Sequence, residues 1–172
     1  KIADYIFIGG ANMNNFLKDK EFEVGLSNYD KTGVIQKNIL NSKKITIPTD
    51  VVVKMKNGKI INKNVNEVLP TDTIKDIGSK STSTLLQIIK KVKFVFWNGP
   101  LGYYEEGFSK ATTTTLKALA KSKAKTVIGG GDTEELVSKL KLRKKIFFVS
   151  SGGGATLEFL ANGTLPGIKA LE

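Results

Sequence analysis

Residues 126–133 read TVIGGGDT, an apolar run of strand length that stops at three glycines and continues with polar, helix-starting residues. Three other stretches share this pattern: 6–10 (IFIGG), 94–100 (FVFWNGP) and 147–154 (FFVSSGGG). Glycine lets the backbone turn tightly and approach a ligand closely, and the first turn of a helix offers unpaired N–H groups to an anion. Several such corners on one sheet edge suggest a ligand that carries several phosphates.

Strand and helix signals alternate along the chain, which predicts an α/β fold with a doubly wound, Rossmann-like parallel sheet and helices on both faces. The predicted strands are 5–8, 44–47, 94–97, 126–128 and 146–149, and the predicted helices are 12–19, 32–41, 80–92, 109–121, 133–140 and 154–161. The Asn57-Gly58 pair predicts a small antiparallel hairpin over 51–61. Residues 62–79 show little apolar periodicity, so we expect a loop, although one of unusual length for a compact domain.

The composition is that of one compact domain over residues 1–172, because 40% of the residues are hydrophobic. No apolar run approaches the roughly 18 to 20 residues that cross a bilayer, and the start of the chain does not resemble a secretory signal. We therefore expect a cytoplasmic protein without a membrane partner. The chain has no cysteine and no histidine, so any metal is expected to be a hard cation held by oxygen atoms.

The net charge of +11 fits a nucleic acid, a membrane surface or an anionic metabolite as partner. Arg143 is the only arginine, whereas proteins that read bases or clamp phosphates bidentately rely heavily on arginine. This disfavours nucleic acid and favours a lysine-coated surface around an anion-binding cleft. Neither G-x-x-x-x-G-K-[ST] nor a G-x-G-x-x-G after a strand is present, so the two common nucleotide fingerprints are excluded.

Three stretches, 97–105 (WNGPLGYYE), 128–133 (IGGGDT) and 149–155 (VSSGGGA), resemble the successive motifs of phosphoglycerate kinase in order and spacing. Shorter likenesses occur at 8–10, 16–18, 45–50, 76–78 and 165–167. The resemblance covers essentially the whole chain and is to the carboxy-terminal half of that enzyme, which binds Mg-ATP or Mg-ADP. The family's 3-phosphoglycerate domain has no counterpart in these residues, nor do the first strand and the Gly-Ala-Lys turn of the nucleotide domain.

The resemblance implies roles for two acidic residues. Asp132 would help to hold Mg²⁺ beside the nucleotide phosphates, and a hard oxygen ligand suits this ion. The structural alternative for Asp132 is a helix cap. Glu105 would accept hydrogen bonds from the ribose hydroxyls, and its alternative is a solvated loop carboxylate, as we expect for Glu106.

The resemblance also implies roles for glycines and neutral polar residues. Asn98 and Pro100 would line the nucleotide, while Thr133, with Gly130 and Gly131 beside it, would bind a phosphate. Residues 152–154, which are Gly152, Gly153 and Gly154, would receive the phosphoryl group in flight, where fixed donors matter more than covalent chemistry. Gly9 and Gly10 would lie against adenine. The alternative for both glycine groups is a plain turn.

The sequence departs from the family pattern on the base side. Ala11 stands where a third glycine is usual, and Ile74 replaces a glycine two residues before Asp76. Asn28 and Phe148 stand where leucine and histidine are usual. Base affinity or pocket shape is therefore expected to differ from the family, while the phosphate side is retained.

The implied reaction is reversible phosphoryl transfer between 1,3-bisphosphoglycerate and ADP, a glycolytic step, by a monomer that also binds 3-phosphoglycerate through the domain missing here. The chain by itself is expected to bind Mg-nucleotide without transferring a phosphoryl group. An alternative, binding of RNA or another polyanion through lysine, predicts steep salt dependence and indifference to Mg²⁺.

Overall fold

The computed structural model describes residues 3–171, which form two compact units. The first unit contains the residues up to Lys90 together with Pro100–Thr115. The second contains Lys91–Gly99 and the residues from Leu116 onward. The organisation as one domain over residues 1–172 stays a prediction. In the part of the chain from residue 3 to 171, no helix combines the length and the apolar character needed to cross a membrane.

The first unit combines a short parallel strand pair with an antiparallel sheet. Its elements are β1 (Ile6–Phe7), α1 (Gly10–Asp19), α2 (Lys37–Leu40), β2 (Ile45–Thr46), β3 (Asp50–Lys54), β4 (Ile60–Asn64), a 3-10 helix (Val65–Glu67), β5 (Thr73–Ile77), α3 (Ser79–Ile89) and a 3-10 helix (Tyr104–Glu106). Strand β1 pairs with β2 in parallel, and β3 is the central strand of an antiparallel sheet with the order β4-β3-β5. Helix α4 (Lys110–Leu119) begins in this unit.

The second unit contains three parallel strands, each followed by a helix. The first strand is β6 (Phe94–Asn98), and α4 is the helix that follows it. The remaining elements are β7 (Lys125–Gly129), α5 (Gly131–Lys139), a 3-10 helix (Arg143–Lys145), β8 (Phe148–Ser150), α6 (Gly153–Asn162) and α7 (Pro166–Lys169). The sheet order is β6-β7-β8, with Trp97 beside Ile128 and Ile128 beside Val149. The α/β class with parallel strands, helices on both sides and a small antiparallel sheet is therefore confirmed.

The predicted hairpin is confirmed, but the predicted loop over 62–79 is wrong. Gly58 has a φ of +82° and donates to the carbonyl of Met55 at 2.8 Å, which closes the turn between β3 and β4. Residues 62–79 contain the end of β4, a 3-10 helix and all of β5. Four of the five β5 residues are buried, so this strand lacks the alternating pattern of a half-exposed strand.

The helix predicted over 32–41 is also wrong in extent, because only Lys37–Leu40 is helical. Upstream, the Asp30 carboxylate accepts hydrogen bonds from the backbone N–H of Thr32 at 2.9 Å and from its hydroxyl at 2.7 Å. The N–H of Ile35 donates to the Asp19 carboxylate at 2.7 Å. Such side-chain acceptors compete with helical hydrogen bonds, and Val34 is left 85% exposed.

Each unit has its own apolar core. Fully buried side chains of the first unit include Leu17, Val51, Val53 and Ile74, and those of the second include Leu116, Leu119, Ile128 and Val137. The residues of α3 predicted to be buried are Leu85, Leu86, Ile88 and Ile89, of which only Ile89 is fully so.

A buried carboxylate holds the start of α3 against the antiparallel sheet. Asp50, at the first position of β3, accepts hydrogen bonds from the backbone N–H of Ser81 at 2.7 Å and of Lys80 at 3.0 Å, and from the Asn62 amide at 2.9 Å. The Ser81 hydroxyl donates to the same carboxylate. Burial acts to raise the pKa of Asp50, but these hydrogen bonds outweigh it and hold the pKa below its usual range. The aspartate therefore caps a helix that is far from it in sequence.

Replacing this cap should destabilise the protein strongly. We expect Asp50→Ala to lower the free energy of unfolding by about 3 kcal/mol, because the substitution leaves buried donors without an acceptor. The measurement is urea unfolding followed by circular dichroism. Asp30→Ala is the control, since that carboxylate also accepts backbone hydrogen bonds but is exposed, and it should change stability little. Equal effects of the two substitutions would contradict this account.

Candidate functional site

Three glycine-rich corners lie side by side in the second unit, at the carboxyl ends of β6, β7 and β8. Gly99 donates its backbone N–H to the carbonyl of Gly129 at 3.1 Å, and Gly130 donates to the carbonyl of Ser150 at 3.0 Å. The ladder between the parallel strands thus continues into the turns that follow them. The expectation that the corners meet at one edge of a parallel sheet is confirmed for these three, and this is the edge where parallel sheets bind ligands. For the fourth corner, 6–10, it is wrong, because β1 pairs with β2 in a separate sheet.

Close backbone packing explains part of the glycine content of these corners. An ideal Cβ on Gly153 would lie 2.9 Å from both Cα and N of Gly130 and 2.6 Å from Asn98 Oδ1. A Cβ on Gly129 would also lie 2.6 Å from Asn98 Oδ1, and Gly130 has a φ of +101°. A side chain at Gly130 or Gly153 would strain the backbone or clash with it, and one at Gly129 would displace the Asn98 amide.

The neighbouring glycines have no such structural reason. Apart from the adjoining residues and the backbone of its own helix, no atom of the described residues lies within 4 Å of the place where a Cβ on Gly131 or Gly154 would be. Gly131 is the first residue of α5, and Gly154 is the second residue of α6, whose N-cap is Gly152. The first-turn N–H groups have no partner within their own helix and carry the positive end of its dipole. Open space in front of two such helix ends can accept the oxygens of an anion.

The first turn of α5 supplies two further groups. Asp132 is exposed, and the N-cap of the helix is Gly130, so the alternative role of Asp132 as a helix cap is excluded. Thr133 is fully buried, and its hydroxyl oxygen has no hydrogen-bond partner within residues 3–171. An unpaired buried hydroxyl costs about 1–3 kcal/mol, which a ligand oxygen could offset.

In the first unit, Gly9 and Gly10 pack against a neighbouring turn. Gly10 has a φ of +59°, donates its N–H to the carbonyl of Leu101 at 3.2 Å, and would place a Cβ 2.7 Å from the carbonyl oxygen of Pro100. A Cβ on Gly9 would lie 2.5 Å from the Leu101 side chain. The tight-turn explanation of these glycines therefore has a structural basis, and their contact with a base stays a prediction.

Glu105 and Glu106 are neighbours in the 3-10 helix Tyr104–Glu106 but differ in their surroundings. Glu105 is exposed, and its carboxylate forms no hydrogen bond or ion pair with any described residue. Glu106 is also exposed, with 45% of its side-chain surface accessible, but it is ion-paired with Lys75, with Nζ and Oε1 at 2.6 Å, which the expectation of a solvated carboxylate did not include. The reason is that β5, missed in the sequence, brings a buried ammonium group beside this loop.

Asp76, the next residue of β5, is 2% exposed. Its carboxylate accepts hydrogen bonds from the backbone N–H of Ala111 at 3.2 Å, in the first turn of α4, and of Ile77 at 2.9 Å. A Cβ on Gly102 would lie 2.6 Å from the Asp76 carboxyl carbon, so glycine is required there. Burial raises the pKa of Asp76 to about 6, although the two hydrogen bonds act to lower it.

No group of three or more carboxylates is arranged to hold a metal ion within the described part of the chain. Mg²⁺ often uses only one or two protein carboxylates and takes its other ligands from water and substrate phosphates. A single exposed carboxylate, Asp132, beside two open helix ends fits that donor set. An ion bound without a phosphate ligand does not fit these residues.

A family model for phosphoglycerate kinase matches residues 1–163. The chain belongs to the phosphoglycerate kinase family. Curated phosphoglycerate kinases of Blochmanniella floridana and Haemophilus influenzae are each 38% identical to it over 177 residues, and the match covers all of this chain and 44% and 46% of those proteins. The chain therefore spans less than half the length of these relatives.

Solved structures agree with the family membership. Phosphoglycerate kinase from Coxiella burnetii superimposes with a TM-score of 0.80 at 32% identity, over 98% of this chain and 46% of that one. The enzyme from Pyrococcus horikoshii OT3 gives a TM-score of 0.78 at 28% identity, over 98% and 45%. The resemblance inferred from the glycine corners is thus confirmed, as is the fold that it implied.

Two residues of β5 that hold the segment 102–111 of the first unit were not singled out as functional from the sequence. Lys75 and Asp76 appear as charges inside the stretch Thr73–Ile77, which reads TIKDI. Two charged residues between β-branched residues could have been read as a strand with buried, partnered charges, since charges are rarely buried without partners.

The packing of the corners predicts unequal effects for two adjacent glycines. We expect Gly153→Ala to lower the free energy of unfolding by about 1–3 kcal/mol, because its methyl group has no room beside Gly130. Gly154→Ala, where the space is open, should stay within about 1 kcal/mol of the wild type. Trp97 in β6 is the only tryptophan of the sequence, so its fluorescence during urea unfolding reports on the second unit. Equal stabilities of the two variants would contradict the packing argument.

The pKa of Asp76 predicts a pH dependence of stability. The folded pKa of about 6 lies above the ordinary value of 3.8, so the folded state binds more protons than the unfolded state in between. The contribution of Asp76 to stability should therefore fall as pH rises from about 4 to about 6, by on the order of 3 kcal/mol.

The measurement compares the unfolding free energies of the wild type and Asp76→Asn at pH 4, 5, 6 and 7.5 by circular dichroism. Because asparagine does not titrate, the unfolding free energy of the wild type should fall relative to that of the variant as the pH rises. A difference that is the same at all four values would show that Asp76 does not have a raised pKa.

Proposed function

We propose that this chain is the carboxy-terminal, nucleotide-binding domain of a phosphoglycerate kinase and that it binds Mg-ADP and Mg-ATP. The observation that carries the proposal is the set of three corners in the second unit. There, Gly131 and Gly154 leave open space in front of two helix N-termini, and the buried Thr133 hydroxyl has no hydrogen-bond partner among residues 3–171. A plain turn needs none of these features, whereas a polyphosphate would use all of them.

On the phosphate side, the backbone N–H of Gly131 and the Thr133 hydroxyl bind phosphate oxygens. Gly130, whose own N–H donates to the carbonyl of Ser150 at 3.0 Å, lies against the phosphates through its backbone turn. Residues 152–154 are the catalytic segment in this proposal, because the N–H groups of Gly152 and Gly154 at the start of α6 stabilise the phosphoryl group during transfer. The N–H of Gly153 donates to the carbonyl of Ser151 at 3.1 Å, and Gly153 serves the close packing of the segment. Asp132 supplies one ligand to Mg²⁺, which when bound would neutralise charge on the phosphate oxygens. Asn98 lies beside Gly129 and Gly153 and can donate its amide to an oxygen.

On the nucleoside side, the proposal assigns Glu105 to the ribose hydroxyls, Pro100 to the wall of the site, and Gly9 and Gly10 to the adenine ring. The exposed Glu105 carboxylate, which has no partner in the described part of the chain, is available to accept two hydroxyl hydrogen bonds. Ile74 is 1% exposed and contributes to the core of the first unit, so its bulk is accommodated by packing.

The proposed activity of the whole protein is glycolytic phosphoryl transfer between 1,3-bisphosphoglycerate and ADP by a cytoplasmic monomer. The relatives bearing the name phosphoglycerate kinase are more than twice as long as the matched segment. We assign 3-phosphoglycerate binding to a separate domain, and we propose that the 172-residue chain by itself binds nucleotide without transferring a phosphoryl group.

The test is titration calorimetry of the chain with ADP, with and without Mg²⁺ and at two salt concentrations. We expect Mg²⁺-dependent binding of moderate salt sensitivity, weakened about tenfold or more by Asp132→Ala, which removes a charge-bearing ligand. Glu134→Ala is the matched control, since Glu134 lies in the same first turn of α5 and has no assigned role; it should leave the affinity unchanged.

Two outcomes would overturn the proposal. One is no binding at millimolar ADP. The other is binding that ignores Mg²⁺ and collapses with salt, which would favour the polyanion alternative that the net charge of +11 supports.

A further inference from the structure

Lys75 in β5 is a lysine with only 8% of its surface exposed, and its ion pair and its contact with an aromatic ring both involve one loop. Its backbone carbonyl accepts a hydrogen bond from the N–H of Tyr103 at 2.8 Å. Its Nζ pairs with Glu106 Oε1 at 2.6 Å and lies 4.8 Å from the centre of the Tyr103 ring. A buried ammonium is costly unless it is paired, so these contacts also hold Lys75 in place.

The contacts of Lys75 fix both ends of a four-residue segment. Tyr103 is held at one end and Glu106 at the other, and Glu105 lies between them. Within the segment, the N–H of Glu106 donates to the Tyr103 carbonyl at 3.2 Å, and Gly107 ends the turn with a φ of +84°. A 3-10 helix has three residues per turn, so adjacent side chains project about 120° apart. Holding Glu106 towards the buried Lys75 therefore turns Glu105 outwards.

The ion pair also decides which of two adjacent carboxylates is available. Glu105 and Glu106 have the same chemistry, and a flexible segment could present either one. Lys75 engages Glu106 and leaves Glu105 exposed and unpartnered among the described residues. The selection depends on one charged contact and one aromatic contact, and both are made by the same ammonium group.

We propose that Lys75 is a positioning residue that presents Glu105 to the ribose of the bound nucleotide, and that it thereby sets the preference for a ribonucleotide over a nucleotide without ribose hydroxyls. The inference rests on the proposed function, in which Glu105 accepts the ribose hydroxyls. It adds a residue and a specificity to that function, since Lys75 acts through Glu106 and the turn and needs no contact with the nucleotide.

A direct contact of Lys75 with the ligand is the competing explanation. Lys75 borders a groove of about 500 Å³, which is also lined by Lys54, Lys56 and Thr73. An anion in this groove would meet the ammonium of Lys75 directly. The two explanations differ in what Glu106 should do, because only the positioning role requires the Glu106 carboxylate.

The test measures the affinities of the full chain for Mg-ADP and for the Mg complex of 2′,3′-dideoxy-ADP by calorimetry. The wild type should prefer ADP, and Glu105→Gln should reduce that preference; these two results test the proposed function itself. Lys75→Met should reduce the ratio of the two affinities at least fivefold, while the affinity for the dideoxy nucleotide changes less than twofold. Glu106→Gln should reproduce this pattern, and Lys75→Arg should retain most of the ratio.

A second buried ion pair provides the matched control. Lys63 Nζ lies 2.6 Å from Asp72 Oδ2 in the same unit, with side-chain exposures of 11% and 1%. Lys63→Met should destabilise the fold but leave the affinity ratio unchanged. If Lys75→Met weakens both nucleotides equally, the role of Lys75 is merely structural and the inference is wrong.

Three further outcomes are decisive. If Lys75→Met weakens binding and Glu106→Gln does not, Lys75 contacts the ligand directly and the positioning role is wrong. If the wild type binds ADP but shows no preference for it, the role of Glu105 and this inference fail while nucleotide binding stands. If the wild type does not bind ADP, both the proposed function and the inference fail.

Discussion

The candidate phosphate site depends on the close approach of two backbone segments in the second unit. Gly130 and Gly153 pack so closely that a single Cβ at position 153 would lie 2.9 Å from two backbone atoms of Gly130. This contact brings the start of α5 next to the start of α6, so that two sets of unpaired N–H groups and two helix dipoles lie at one edge of the sheet. A side chain at the contact would separate the helices, and the donors would no longer converge on one ligand.

The glycines of the corners are needed for different physical reasons. A Cβ on Gly9 or Gly129 would meet the movable ends of the Leu101 and Asn98 side chains. Gly10, Gly130 and Gly153 are required by a backbone contact or by a positive φ, whereas Gly131 and Gly154 are not. Because packing fully accounts for the first group, its presence says little about a ligand. The second group is the more informative, since a residue type that costs conformational entropy and serves no packing purpose points to the space in front of it. The sequence alone cannot separate the groups, because the separating contacts join residues more than 20 positions apart.

The strand-helix units after position 93 could be predicted because each is local: an apolar run, a glycine turn and a polar helix start follow one another within a few residues. The antiparallel sheet was harder, and β5 was missed altogether. Strand β5 is buried by partners that are distant in sequence. It pairs with β3, and its charged side chains, Lys75 and Asp76, bind Glu106 and the N–H of Ala111. A strand of this kind shows no alternation, and its two charges look like loop residues until their partners are known. The prediction of a helix over 32–41 was wrong for another reason. The carboxylates of Asp19 and Asp30 accept hydrogen bonds from backbone N–H groups that a helix would use.

Two adjacent residues of β5 together determine the course of the segment that carries Glu105. The pairing of β5 with β3 is irregular at Lys75, because Val52 lies opposite Asp76 and Val53 opposite Ile74. Lys75 and Asp76 hold different parts of the chain. Lys75 holds Tyr103 and Glu106, while Asp76 lies against Gly102 and accepts the N–H of Ala111 at the start of α4. The segment is therefore fixed before, within and after the turn that exposes Glu105. A loop residue that must meet a ligand in a defined orientation needs such support, because a mobile carboxylate would have to be ordered at the expense of binding free energy. The charges buried in β5 are thus best understood as the means by which a rigid sheet positions an exposed loop.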